Sequence, residues 1–116
     1  MKIEKIKFKA KRLDGKGWAI GNLLHSYENS VIIVPIEGGG AFSVDHSTVC
    51  MFTGLKDKNG TPIYDGDIVM HKDNNAERRG DINWDSKAAA FCFGQDFLVH
   101  YPSENMIVVG KKFDKK

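Results

Sequence analysis

The stretch Phe52-Thr53-Gly54-Leu55-Lys56-Asp57-Lys58-Asn59-Gly60-Thr61-Pro62-Ile63-Tyr64-Asp65-Gly66-Asp67-Ile68-Val69 decides how the rest of the chain is read. Three glycines, a proline, three aspartates and an asparagine stand among apolar residues, and the block ends on a strand start at Gly66-Asp67-Ile68-Val69. Gly supplies positive φ, Pro presets φ, and Asp and Asn side chains bond nearby amides, so this density of turn formers specifies successive sharp bends. The block reads as a turn-rich connector, residues 49–66, that launches a strand.

Downstream of it, short apolar runs alternate with turn signals. Asp67–Lys72 reads as a strand and Lys72–Arg79 as a wholly polar loop; Asp81–Trp84 alternates, with Ile82 and Trp84 on one face. Ala88–Phe93, Phe97–Tyr101 and Met106–Gly110 complete a count of five strands in about fifty residues. That is the size of an SH3-like barrel over residues 67–113, a fold that closes its sheet to avoid free edges. Upstream, Lys5–Arg12 alternates, Asp14-Gly15-Lys16-Gly17 makes a hairpin loop, and Trp18–Leu24 returns as a second strand. A polar loop at Ser26–Asn29 precedes the β-branched run Val31-Ile32-Ile33-Val34, stopped by Pro35. Gly38-Gly39-Gly40 leads to Ala41–Val44, and Asp45-His46-Ser47-Thr48 suits a turn or one helical turn because Asp and Ser cap well. The expectation is an all-β chain, 1–116, forming a single compact unit. Within it, a hairpin-based sheet over 1–48 and the barrel over 67–113 flank the connector.

Composition excludes several classes. The chain has 116 residues, 41% hydrophobic and 28% charged, which is ordinary for a globular protein. No apolar run approaches the roughly 18 residues needed to span a bilayer, and Met1–Lys7 lacks the apolar core of a signal peptide, so a cytoplasmic protein without membrane association is expected. Cys50 and Cys92 lie far apart in apolar surroundings and read as two reduced core thiols. The net charge is +2, but residues 1–12 hold six Lys/Arg against one Glu, and 111–116 hold four Lys against one Asp. The interior, 13–110, is therefore left at −6. Lys5, Lys7, Lys9 and Lys11 are candidate contacts for an anionic partner. Their alternation with Ile6, Phe8 and Ala10 reads first as the solvated face of an outer strand, where lysines also discourage edge pairing.

No catalytic constellation emerges. Asp57-Lys58-Asn59-Gly60 is reminiscent of a calcium loop, yet alignment puts Leu55 at its first position and Gly66 at its twelfth, so the first acid and the bidentate Glu are missing. Asx-type turns explain Asp57, Asp65 and Asp67 better than convergence on a divalent metal of a phosphodiesterase-like enzyme, which is the alternative enzymatic reading. His25, His46, His71 and His100 show no ligand spacing, and neither G-x-S-x-G nor H-E-x-x-H occurs. Trp18, Tyr64, Trp84, Phe91, Phe93, Phe97 and Tyr101 suffice for a stacking platform for single-stranded nucleic acid, or for filling the core of a small β protein. No cofactor is expected.

The central block resembles the signature of the YopX family, small proteins of phages and prophages. The residues that carry the likeness are Phe52, Thr53, Gly54, Leu55, Asp57, Gly60, Ile63, Tyr64, Gly66, Asp67, Ile68 and Val69. It extends upstream to Val44-Asp45 and Thr48-Val49, and to Phe8-x-x-Lys11-Arg12 followed by Gly17-Trp18-x-x-Gly21. Val109-Gly110-x-x-Phe113-Asp114 is similar to the closing segment of the family, with Lys111 where Asn usually follows the glycine. The resemblance implies a β-rich protein of unassigned biochemistry acting inside a bacterial host, and supplies no catalytic residues. The expected function is a non-enzymatic phage accessory protein that binds an unknown protein or nucleic acid. A subunit of a homo-oligomer is the other structural reading.

Overall fold

The computed structural model describes residues 6–25, 30–36, 38–74 and 76–112. Lys5, the loop Ser26–Asn29, and Phe113 and Asp114 lie outside the described residues. The chain is built from antiparallel strands and divides into two compact units, residues 1–52 and 53–116, so that the division falls inside the turn-rich block.

In unit 1 the strands are β1 (Phe8–Lys11), β2 (Trp18–His25), β3 (Val31–Pro35), β4 (Phe42–Val44) and the start of β5 (Cys50–Lys56), ordered β4-β3-β2-β1-β5. The β1–β2 hairpin closes where the Arg12 amide donates to the Gly17 carbonyl at 2.8 Å, with Gly15 and Gly17 at positive φ. Phe8 lies opposite Gly21, and Ala10 opposite Ala19. Facing residues share one side of a sheet, and this side builds the core of Ala10, Ala19, Val31, Ile33 and Val44. Gly21 has no alternative: a Cβ there would lie 2.2 Å from the Val34 carbonyl oxygen of β3. The expected helical turn is a 3-10 turn over His46–Thr48, capped by the Asp45 carboxylate, which accepts from the Ser47 amide at 3.0 Å.

One expectation about unit 1 is corrected. β1 is not an outer strand; it lies between β2 and β5, pairing Phe8 with Met51 and Lys9 with Cys50. The lysine row therefore does not guard an edge. Nor does the alternation sort solvated lysines from buried apolar residues, since Lys9 is 4% exposed and Ile6 44% exposed; a period of two reports which side a residue faces and not whether a second neighbour is present.

Unit 2 begins within β5. The turn-rich block is a hairpin: β5 is followed by β6 (Pro62–Tyr64), and the Asp57 carboxylate organises the turn between them. Then come β7 (Asp67–Lys72), β8 (Glu77–Asp85), β9 (Ala90–Phe93), β10 (Asp96–Phe97) and β11 (Met106–Lys111), in the order β10-β9-β8-β7-β11. The core is Ile63, Val69, Ile82, Phe93, Leu98 and Met106. β8 takes in part of the expected polar loop, because Arg78 and Arg79 sit opposite His71 and Met70 as ladder partners despite their polarity.

The closed SH3-like barrel expected for 67–113 does not form. The sheet of unit 2 does not close: β10 and β11 are its two ends. The physical reason lies after Phe97. Instead of the expected strand Phe97–Tyr101, the chain turns through a 3-10 segment at Leu98–His100 and a second at Ser103–Asn105. The Tyr101 amide closes the first onto the Leu98 carbonyl at 2.9 Å, and Pro102 has no amide to offer a ladder. β10 thus stops at two residues.

Candidate protein-binding groove

The block residues are occupied in holding unit 2 together. Thr53 Oγ1 donates to the Ile63 carbonyl at 2.8 Å, and accepts from the Leu55 amide at 3.1 Å. Asp57 Oδ1 accepts from the Asn59 and Thr61 amides at 2.9 Å each, and Oδ2 from the Val108 amide at 2.9 Å. Burial works against the Asp57 carboxylate, but the Val108, Thr61 and Asn59 amides outweigh it and hold the group below its usual range. Asp67, 1% exposed, accepts from the Tyr64 amide at 2.8 Å and lies 3.6 Å from the Lys111 ammonium. Gly54, Gly60 and Gly66 take φ of 87°, 83° and 88°. The Gly66 amide reaches the Ile82 carbonyl at 2.7 Å. Ile63, Tyr64 and Val69 are buried, Ile68 is half-buried, and Phe52 is buried in unit 1 beneath the Lys7 ammonium.

These contacts bear on the metal reading. Asp57 and Asp67 point at main-chain amides, and among the described residues no group of three or more His, Cys, Asp or Glu is arranged to hold a metal ion. His25 and His46 line a hollow of unit 1 together with Leu23, Val31 and Val49. The lysine row is also partly committed. Lys7 lies over the Phe52 ring at 4.5 Å; Lys9, 4% exposed, and Lys11 lie over Trp18 at 4.8 and 5.7 Å.

The aromatics divide between core and surface. Phe93 and Tyr64 are buried, whereas Trp84 and Phe97 are 44% and 43% exposed. Ile82 and Trp84, placed on one side by their alternation, part company: Ile82 is fully buried, and Trp84 meets Phe91 edge-on at 5.0 Å between ring centres. Phe91 and Phe97 line a groove of about 450 Å³ with Thr53, Leu55, Ala88, Ala90, Leu98 and Val99. Val99, 85% exposed, forms its lip. No charged side chain is part of this lining.

Three side chains meet next to the Leu98–His100 turn that carries the lip. The Tyr101 hydroxyl donates to Asp96 Oδ2 at 2.7 Å, and Arg78 reaches both Asp96 Oδ2 at 2.7 Å and the Tyr101 oxygen at 2.6 Å. The hydroxyl and the guanidinium lower the Asp96 carboxyl, and the bond to Asp96 pushes the Tyr101 phenol up. Sequence reasoning missed Val99 because Phe97–Tyr101 carries strand-favouring residues, whose alternation would turn Val99 toward the same side as Phe97 and Tyr101. It missed the Arg78–Asp96–Tyr101 triangle because its members are 18 and 5 residues apart. The aromatic content of the region was the one available signal.

Among the described residues no helix is long and apolar enough to cross a membrane. The family model described as YopX protein matches residues 24–113 of the chain. No curated protein matches it.

Proposed function

The chain belongs to the YopX family, and from that premise we propose that it is a non-enzymatic accessory protein that binds another protein through the groove of unit 2. The observation that carries this reading is the uncharged groove itself, with Phe97 and Val99 exposed at its rim. Apolar surface left in water costs roughly 25 cal/mol per Å², and covering it is what a protein partner offers. Nucleic acid is the less favoured partner for this unit. Residues 53–116 hold ten Lys/Arg and ten Asp/Glu, and phosphate binding draws its affinity from excess positive charge. The strand order β10-β9-β8-β7-β11, with 3-10 turns before the last strand, supports reading unit 2 as an open SH3-like sheet. The resemblance of the central block to phage proteins supports a role in phages and prophages, in the cytoplasm of the bacterial host.

A photo-reactive benzoylphenylalanine placed at position 99 tests the reading in host cells carrying the phage. One discrete adduct with a different protein is expected, absent with the probe at position 16 and lost when Phe97→Asp is added. Adducts of this chain with itself alone would favour the homo-oligomer. Salt-dependent retention of labelled DNA or RNA by the purified chain, without a protein adduct, would move the function to the Lys7 and Lys11 side of unit 1.

A further inference from the structure

The groove runs beside an unfinished ladder. β9 pairs along its whole length with β8, from Ile82–Phe93 to Asp85–Ala90. On its other side β10 covers Phe93 and Cys92 alone. Phe93 and Asp96 flank the two-residue turn Gly94-Gln95. In a hairpin of that length the flanking pair exchanges both main-chain hydrogen bonds, so the amide and carbonyl of Phe93 face β10. Main-chain groups alternate sides along an antiparallel strand. The amide and carbonyl of Phe91, two residues earlier, therefore face the same way. There the ladder has ended: Leu98, next in line after Phe97, has already entered its 3-10 turn. Among the described residues no strand pairs with Phe91 on that side.

We infer that the groove takes an extended, uncharged segment of a protein partner, which continues the sheet by pairing its backbone with Phe91 beyond the end of β10. This rests on the protein-binding reading above and specifies the shape of the occupant. A main-chain donor and acceptor side by side call for a strand; a helix has its own main-chain groups already paired. Side chains of an added strand alternate between the two faces. Every second one then enters the space between Leu55, Phe91, Phe97 and Val99, and the absence of charge in that lining selects apolar residues there.

Selection of a displayed library of random heptapeptides against the full chain, with Phe97→Asp and Val99→Asp chains as counter-targets, supplies the probe. The side chain of Val99 is almost wholly in solvent, so its variant keeps the fold even if the Phe97 variant does not. Peptides retained by the wild-type chain alone are expected to show apolar residues at every second position. Resynthesised with a single backbone N-methyl group, one central position should lose about tenfold or more in affinity, the value of one main-chain hydrogen bond left unmade. The adjacent amide, pointing to the opposite edge, should tolerate the methyl group. The Phe91 amide should exchange with solvent more slowly in the complex. Groove-dependent peptides indifferent to N-methylation at every position would overturn strand addition and leave the groove as a protein site. Failure to recover any peptide that depends on Phe97 or Val99 would remove the groove itself.

Discussion

The Asp57 carboxylate and the Val108 amide, 51 residues apart in sequence, meet at 2.9 Å, and with the Lys58 amide, which donates to the Met106 carbonyl at 2.9 Å, this bond ties the β5–β6 turn to β11. Asp57 Oδ1 at the same time closes its own turn through Asn59 and Thr61. Replacing it with Ala strands three amides, each worth on the order of 1 kcal/mol or more when its partner is charged. We expect Asp57→Ala to lower unfolding stability by about 3 kcal/mol, read from the urea midpoint, with Asp57→Asn intermediate. Asparagine keeps one acceptor oxygen and must turn its donor NH₂ toward one set of amides. The carboxyl is held below its ordinary value in the folded chain, so it binds protons less readily folded than unfolded. Its contribution is complete above the unfolded value of about 4 and is lost as pH falls through the lower folded value. The acid limb of the stability curve should accordingly be shallower in Asp57→Ala than in the wild-type chain. An unchanged midpoint at pH 7 would remove Asp57 as the tie.

Gly21 and Gly110 make a paired test of backbone approach in β-strands. A Cβ at Gly21 meets three main-chain atoms of Val34 and Pro35 within 2.8 Å, whereas one at Gly110 meets nothing within 4 Å. Main-chain atoms cannot step aside as side-chain ends do, so Gly21→Ala must push β2 and β3 apart. A loss of about 3 kcal/mol is expected, at the upper end for overpacking. Gly110→Ala should be neutral, or gain up to about 1 kcal/mol by restricting the unfolded chain. Equal effects at the two positions would show that the close approach of β2 and β3 is not what demands glycine.

Legibility from sequence followed the range of the interactions. Trp18–His25 and Val31–Pro35 were readable because alternation and β-branching act within the strand itself. Asp57 was readable as a turn former, since Asn59 and Thr61 lie two and four residues away. Its bond to Val108 was not, because no local pattern reports a partner across the fold. The same limit explains β1, whose second neighbour β5 enters some forty residues later. At Leu98–His100 a local reading existed and was overridden. Val99, the β-former in that segment, yields to the closure between Tyr101 and Leu98 and to Leu98 filling the core. The groove was legible only as an excess of aromatics, because its shape depends on that override.

Cys92 offers a check on the core of unit 2. Its side chain is 5% exposed in β9, and burial, followed by the Asp85 and Asp96 carboxylates, pushes the thiol up from its ordinary value. Cys50 is 2% exposed in unit 1. Both are free. Since the thiolate is the reactive form, neither should react with a disulfide reagent at pH 8 until the chain unfolds, and both should then react together in urea. Rapid labelling of Cys92 alone in the native protein would show that β9 and β10 open independently of the rest.

Tyr101 joins the core to the groove, and its hydroxyl can be removed without touching the ring. The ring meets Phe93 edge-on at 4.9 Å and the buried His71 at 5.2 Å, while the hydroxyl joins Arg78 and Asp96 at the surface. Tyr101→Phe keeps the aromatic packing and leaves Arg78 and Asp96 paired directly at 2.7 Å. Exposed pairs of this kind contribute little to global stability, so the unfolding midpoint should barely move. The Leu98–His100 turn, however, loses the anchor at its end, and low-stability segments reveal themselves in exchange before they affect global unfolding. The Tyr101 amide, bonded to the Leu98 carbonyl, should exchange faster with solvent in the variant, while the Ile82 and Val69 amides stay as protected as before. A groove whose lip is set by this turn should then bind its selected peptides more weakly through a faster off-rate. Unchanged exchange at Tyr101 together with unchanged peptide affinity would show that Leu98, buried in the core, holds the lip without help from the hydroxyl.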